Sequence, residues 1–288
     1  MKKFSQLTIP YIVWIVLMIV LPMLLIAFYS VTDSGNGIVD VSFTFDNYKR
    51  FFTDPDFLIV LWRSVKIAIK TTIICVILGY PIAYFIAGSK PRTQGVLILL
   101  VTLPMWINML VRTYAWIGIL SEGGIAQKLL QLIGLGNGDL LYTEGAVMLG
   151  MVYNFIPFMI LQINSALSKM DKSLIEAGAD LGASKFQIFK RIVLPLSMPG
   201  VISGITLVFL PAVSSFFIPK LLGGGQYFLI GNVIENQFIT VGEWSFGSAV
   251  SMIIAVIMMI SIWAVRSIEN RNSGVKRNRK ARVSDEER

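Results

Sequence analysis

The sequence contains no histidine and one cysteine, Cys75, which lies inside an apolar run. Without histidine the commonest general base and metal ligand is missing. A lone cysteine makes neither a disulfide framework nor a zinc set. Ser–His and Cys–His catalysis fall away on the same ground. There is no G-x-x-x-x-G-K-[ST] segment, so the chain has no phosphate loop with which to hydrolyse ATP. The triple glycine Gly223-Gly224-Gly225 lacks the following lysine and reads as a turn. Charge is scarce as well, at 15% of residues.

Apolar residues fill the space that charge leaves. They make up 55% of 288 residues, which is not the composition of an ordinary soluble domain. A membrane-spanning helix needs about 20 of them in a row. The first such run is Pro10 to Ser30, after Lys2 and Lys3. It is too long for a signal-peptide core and no small-x-small site follows, so a retained span is expected. Residues 31–63 are polar, with strand and turn character that includes Asp33-Ser34-Gly35-Asn36-Gly37. Further runs cover Lys66 to Gly88, Gly95 to Leu120, Gly145 to Leu167, Pro199 to Leu222 and Phe246 to Ile268. Between the third and fourth lies a glycine-containing loop with one amphipathic patch, Ile125 to Ile133. Residues 269–288 form a basic tail expected to lack regular structure.

Six spans place the connections alternately on two sides. Lys2, Lys3, Lys90, Arg92, Lys169, Lys172, Lys185, Lys190, Arg191 and the eight basic residues from Arg266 onward fall on one side, seventeen in all. The other side holds six: Lys49, Arg50, Arg63, Lys66, Lys128 and Lys220. The basic side is the cytoplasmic one, which puts both termini inside. The net charge of +8 is thus a topology signal with affinity for anionic lipid, not a nucleic-acid patch. No aromatic residues interleave with the tail's basic ones.

One inner connection stands apart. Asp171 to Pro195, DKSLIEAGADLGASKFQIFKRIVLP, is mixed in charge and reads as two short helices joined by a turn. Leu174, Ala177, Gly178 and Leu181 share a helical face. Ser173 with Glu176 makes a capping-box pattern, and Asp171 is an alternative cap. Gly182 sits where a helix stops. Ser184 with Gln187 offers a second capping box, Phe186, Phe189 and Val193 an apolar face, and Pro195 a stop. The spacing Glu176-Ala177-Gly178, three residues, Gly182, nine residues, Ile192-Val193-Leu194-Pro195 resembles the EAA loop of ABC-importer permeases. The family pattern has alanine where this chain has Gly178. In that family the loop is the cytoplasmic coupling helix, seated in a cleft on the ATPase.

The resemblance extends further. Leu103-Pro104-Met105-Trp106-Ile107-Asn108, Val152-Tyr153-Asn154-Phe155-Ile156-Pro157-Phe158, Leu229-Ile230-Gly231-Asn232-Val233-Ile234 and Trp244-Ser245-Phe246-Gly247 are similar to permeases of the spermidine/putrescine importers. The similarity covers nearly the whole chain except residues 31–63 and the tail. It implies an all-α type I importer bundle of six transmembrane helices. Residues 1–63 would carry the first span and an outer loop, 64–268 the permease core with its coupling loop at 171–195, and 269–288 the tail. It implies four kinds of subunit: this non-catalytic chain, a second homologous permease, an ATPase dimer that binds ATP and Mg, and an extracytoplasmic polyamine-binding protein. The ATPase contact would fall on Glu176, Ala177, Gly178, Gly182, Ile192, Leu194 and Pro195.

Polar and aromatic residues in the apolar runs are the places to seek a pathway. No Asp or Glu lies inside a run, so Trp106, Asn108, Tyr153, Asn154 and Phe216 are the candidates, with Glu235 at the outer mouth. Packing against lipid or core is the alternative for the aromatics. Arg112 stands about 12 Å below the outer end of a straight third span. It snorkels, pairs with a carbonyl, or contacts another helix. Ten outer acids against six outer bases favour cations near the mouth, or merely fill loops depleted of Lys and Arg. A self-contained secondary carrier would be expected to show an inverted repeat or intramembrane carboxylates, and neither is evident.

Overall fold

The structure, a computed structural model, describes residues 10–34, 41–132, 134 and 138–286. Lys2, Lys3, Asp40, Ile133, Arg288 and the turn residues Gly35, Asn36 and Gly37 lie outside them. The described chain is almost wholly helical. Five helices are long and apolar enough to cross a bilayer: Pro10–Ser30, Pro55–Ala87, Glu144–Ser168, Lys185–Ser214 and Trp244–Ser267. The count reaches six when the bent pair Pro91–Trp106 and Met109–Leu132 is taken as one span.

The chain divides into two compact units. The first takes in residues up to Trp62 together with Ile230–Met259. It contains α1 (Pro10–Ser30), a hairpin of β1 (Thr32–Ser34) and β2 (Val41–Phe43), and α2 (Asp46–Thr53). The strands pair antiparallel, with Thr32 opposite Phe43. Stacked rings close this unit. Phe51 and Phe246 are buried, and the Phe57 and Phe246 centroids are 4.9 Å apart. The Arg50 guanidinium lies 4.3 Å from the centre of the Phe246 ring and binds Glu243 at 2.9 Å. That charge is thereby held between a π face and a carboxylate.

The second unit, Arg63–Leu229 with Ile260 onward, holds the 171–195 stretch. Its helices are most of α3 (Pro55–Ala87), α4 (Pro91–Thr102), α5 (Met109–Leu120), α6 (Ile125–Leu132), α7 (Glu144–Ser168), α8 (Ser173–Asp180), α9 (Lys185–Ile188), α10 (Leu194–Ser214) and α11 (Phe217–Leu222). The main helix–helix interface is α7 against α10. Glycine makes the approach possible. A Cβ on Gly200 would stand 2.7 Å from the Gln162 carbonyl oxygen, and one on Gly204 would meet Met159. α12 (Ile230–Glu235) and the first part of α13 (Trp244–Glu286) belong to the first unit.

Several sequence expectations need correction. The second span is carried on a helix longer than the apolar run from Lys66. Its helix starts at Pro55, whose fixed φ suits a first turn. The third span is not straight. α4 passes into a 3₁₀ turn, Leu103–Trp106; Ile107 and Asn108 are extended; and the next helix leaves at 91°. Pro91–Trp106 is about 25 Å long, close to a hydrocarbon thickness of about 30 Å. The depth reckoned for Arg112 along a straight helix therefore does not apply. The fifth run breaks at Ser215, between α10 and α11. Residues 269–286 are helical backbone rather than irregular. Lys, Arg and Ala are good helix formers, and propensity wins over polarity there.

Candidate functional site

In the 171–195 stretch, local hydrogen bonds fix both ends of α8. Its first turn is capped by Asp171, whose Oδ1 accepts the Ser173 N–H at 3.0 Å. This bond and one from the Ser173 hydroxyl hold the carboxyl below the ordinary carboxylate range. The Ser173–Glu176 box does not form, because Ser173 lies inside the helix and Lys172 is the cap position. At the other end the Ala183 N–H reaches the Gly178 carbonyl at 3.1 Å and the Gly182 N–H the Ala179 carbonyl at 2.9 Å. That pair of bonds is a Schellman turn. It requires a left-handed residue, and Gly182 supplies it with φ 77°.

The second half is capped as the sequence suggests. Ser184 Oγ accepts the Gln187 N–H and Gln187 Oε1 accepts the Ser184 N–H, a full capping box. After α9 the chain widens into a π-turn, Phe189–Val193, and then enters α10. Pro195 does not stop the helix as expected. It occupies the first turn of α10, where a missing N–H costs least, because the π-turn has already interrupted the hydrogen-bond ladder.

Exposure separates two roles within the stretch. Gly178 is the buried residue of α8, and a Cβ there would come 2.9 Å from Ile192 Cδ1. Ile188 and Val193 are buried and pack this side. Leu181 is 89% exposed and Phe186 69%, so two large apolar side chains flank the Gly182 turn uncovered. Of the apolar face Phe186, Phe189 and Val193, only Val193 is buried and Phe186 is uncovered. Glu176 and Ala177 are exposed, Ile192 and Leu194 half-buried, and Pro195 exposed. Glu176 also lines a cavity of 260 Å³ with Tyr84, Gly88, Met170, Lys172 and Ile175.

The candidates for a pathway do not converge on one surface. Trp106, 78% exposed, and Asn108 lie at the bend. The Asn108 carboxamide caps α5, accepting the Leu110 N–H at 2.8 Å. Tyr153 meets Trp116 edge-on at 5.4 Å and lines an apolar cavity of 440 Å³ with residues of α3 and α7. Asn154 is buried inside the bundle, its Nδ2 donating to the Gly150 carbonyl at 2.8 Å. Its Oδ1 has no partner among the described residues. Phe216 packs on Phe217 at 4.2 Å in the break after α10. Glu235 ends α12 in the first unit. Nε and Nη1 of Arg112 are buried without a partner among the described residues.

Two features escaped the sequence reading. Lys70 pairs with Glu144, joining α3 to the first residue of α7. A lysine in an apolar run signals a partner but does not say which. Glu122 and Asp139, counted only as outer acids, line one cavity of 410 Å³ with Gln127, Tyr142 and Gln226.

Comparison with known proteins agrees with this architecture. The spermidine/putrescine transport system permease protein PotB of Haemophilus influenzae is 40% identical over 266 residues, covering 91% of this chain and 93% of that protein. PotB of Escherichia coli is 39% identical over 264 residues, or 90% and 96%. A bacterial ABC transporter involved in the import of the acidic polysaccharide alginate has the same fold at 17% identity, with a TM-score of 0.74 over 94% of this chain and 96% of that one. Residues 76–274 match the family described as binding-protein-dependent transport system inner membrane component. With α7, α10 and the doubly capped loop between them inside the matched region, the chain belongs to that family of multi-pass membrane permeases.

Proposed function

We propose that this chain is a permease subunit of an ATP-driven importer that carries polyamines, spermidine or putrescine, into the cell. The observation that carries the reading is the loop at 171–195. It is held by its own hydrogen bonds while Leu181 and Phe186 stand uncovered beside the Gly182 turn. A rigid loop with an apolar tip suits a partner that pulls on it. The partner is one subunit of a cytoplasmic ATPase dimer, which binds ATP and Mg; this chain does no catalysis. A second homologous permease and an extracytoplasmic polyamine-binding protein complete the complex. Glu176, Ala177, Gly178, Gly182, Ile192, Leu194 and Pro195 form the ATPase-facing segment and its packing. Both termini lie in the cytoplasm, as the seventeen-to-six division of Lys and Arg favours.

The polyamine assignment rests on the names of the relatives and on charge. Alkylammonium groups titrate near 10 and stay cationic at neutral pH. Aromatic faces and amide oxygens attract them, which keeps Trp106, Asn108, Tyr153, Asn154 and Phe216 as pathway candidates and Glu235 at the mouth. Uptake of labelled spermidine and putrescine, with and without the chain, is the test. Dependence of either uptake on the chain supports the reading; dependence of a sugar or anion alone removes the polyamine part. Membrane-impermeant labelling of Ser284→Cys in intact cells, in a Cys75→Ser background, would reverse the orientation.

A further inference from the structure

Tyr80, on α3, touches the coupling stretch on both sides of its π-turn. Upstream, its ring meets Phe189, the first residue of the turn, with centroids 5.7 Å apart and planes at 88°. Downstream, its hydroxyl is 2.8 Å from Ser197 Oγ, past the turn and one helical turn into α10. Ser197 already donates its own hydrogen to the Leu194 carbonyl at 3.0 Å. The Tyr80 O–H is therefore the donor to Ser197. Both side chains are buried, with Ser197 at 1% exposure. Tyr84 follows one turn along α3 and meets the same Phe189 ring at 5.8 Å and 88°. Phe189 thus meets both tyrosine rings edge-to-face, one of the geometries that aromatic pairs prefer.

The joint that Tyr80 bridges is the weak point of the segment. A π-turn carries i→i+5 bonds, is wider than an α-turn, and occurs mostly as a single turn at functional sites. Here it is where the short helix α9 is joined to the long helix α10. Any tilt of α9 about this joint alters the separation of Phe189 from Ser197. Tyr80 holds both, so a tilt breaks one of its contacts or carries α3 along.

We propose that Tyr80 is a positioning residue for energy coupling: with Phe189 and Ser197 it makes α3, the coupling loop and α10 move as one body. The inference rests on the reading of 171–195 as the ATPase contact. A packing role alone would use the ring and leave the buried hydroxyl without consequence for coupling.

The test is the complete importer in proteoliposomes, scored as polyamine taken up per ATP hydrolysed. Tyr80→Phe keeps the ring and removes the hydroxyl. ATP hydrolysis is expected to persist while uptake per ATP falls by about three- to tenfold, the size expected for one lost buried hydrogen bond. Ser197→Ala is expected to give the same fall, and the double variant no more than either single one. Phe189→Leu, which removes the clasped ring, should lower the ratio as well. A wild-type ratio in both Tyr80→Phe and Ser197→Ala overturns the proposal. If Tyr80→Phe does not reach the membrane, Ser197→Ala decides in its place. A wild-type chain that recruits no ATPase overturns the importer reading instead; wild-type coupling with unchanged variants overturns only the role of Tyr80.

Discussion

Two connections of the same unit, residues 103–143 between α4 and α7 and residues 171–195 between α7 and α10, solve the problem of turning a chain in opposite ways. The 171–195 connection closes every end on itself. Asp171, Gly182 and the Ser184–Gln187 box satisfy backbone groups within three residues of their own position. The 103–143 connection is only partly closed. Asn108 caps α5 and Gln127 Oε1 accepts the Gly123 N–H, but two guanidinium nitrogens of Arg112 are buried without a partner among the described residues. A buried donor without an acceptor is costly. A self-satisfied loop can act as a rigid lever, whereas a loop with spare donors is built to meet something else.

The sharpest way to break this comparison is to strain both connections equally. Gly182 and Gly123 have φ 77° and 73°, and a Cβ at either would meet nothing within 4 Å. Valine in the left-handed region costs about 1–2 kcal/mol at each site. Gly182→Val and Gly123→Val should therefore lower the melting temperature of the purified complex alike. Only Gly182→Val is expected to uncouple it, cutting uptake per ATP at least about tenfold, or ~1.4 kcal/mol. Equal uncoupling by both variants would mean that strain alone matters, and wild-type transport in Gly182→Val would remove the coupling assignment.

What the sequence made legible follows the same division. Caps and turns are encoded by residues three or four apart, so Ser184, Gln187 and Gly182 could be placed by reading. The exception is instructive: Ser173 fits a capping box by spacing, yet Asp171 Oδ1 takes the Ser173 N–H, and the Glu176 N–H that Ser173 would have capped goes to the Lys172 carbonyl. Hydropathy records composition and not direction. Gly95 to Leu120 is apolar on average, so its 91° bend left no trace in an average. Pro104 lies a few residues before the middle of the run, where a proline reads equally well as a kink. Tyr80 and Ser197 are 117 positions apart and meet only in the folded chain. The surroundings of Asn154 are of the same kind: side-chain type makes it a pathway candidate, while its burial is a tertiary fact.

Removing one cap from each connection sharpens the comparison at a smaller scale. Ser184→Ala and Asn108→Ala each delete a side-chain acceptor at a helix start, worth about 0.5–2 kcal/mol. Each should lower the melting temperature by about 2–4 °C per kcal/mol. Ser184→Ala is expected to lower uptake per ATP by a few-fold as well, since α9 lies in the lever. Asn108→Ala, at a pathway candidate, is expected to slow uptake and ATP hydrolysis together and so to leave their ratio unchanged. A lowered ratio in Asn108→Ala would place the bend in the coupling path and erase the contrast.

The smallest effect concerns the charge on Asp171. The Ser173 N–H and hydroxyl favour the carboxylate, so the carboxyl is harder to protonate in the fold than in the unfolded chain. A depressed value contributes stability that is complete above the unfolded value, about 3.9 for Asp, and is lost as pH falls through the folded one. Between pH 6 and 8 the cap is therefore fully ionised and coupling should not vary on its account. Asp171→Asn keeps an acceptor and should transport as wild type across that range. Asp171→Ala removes the acceptor, and the Ser173 and Leu174 amides should then exchange with solvent faster, because α8 starts without a cap. The Asn108 cap of the other connection is an amide and does not titrate, so its protection should be flat even below pH 4. If Asp171→Asn loses uptake at neutral pH, the carboxylate charge is used by a partner subunit, and the loop is not closed on itself at this end.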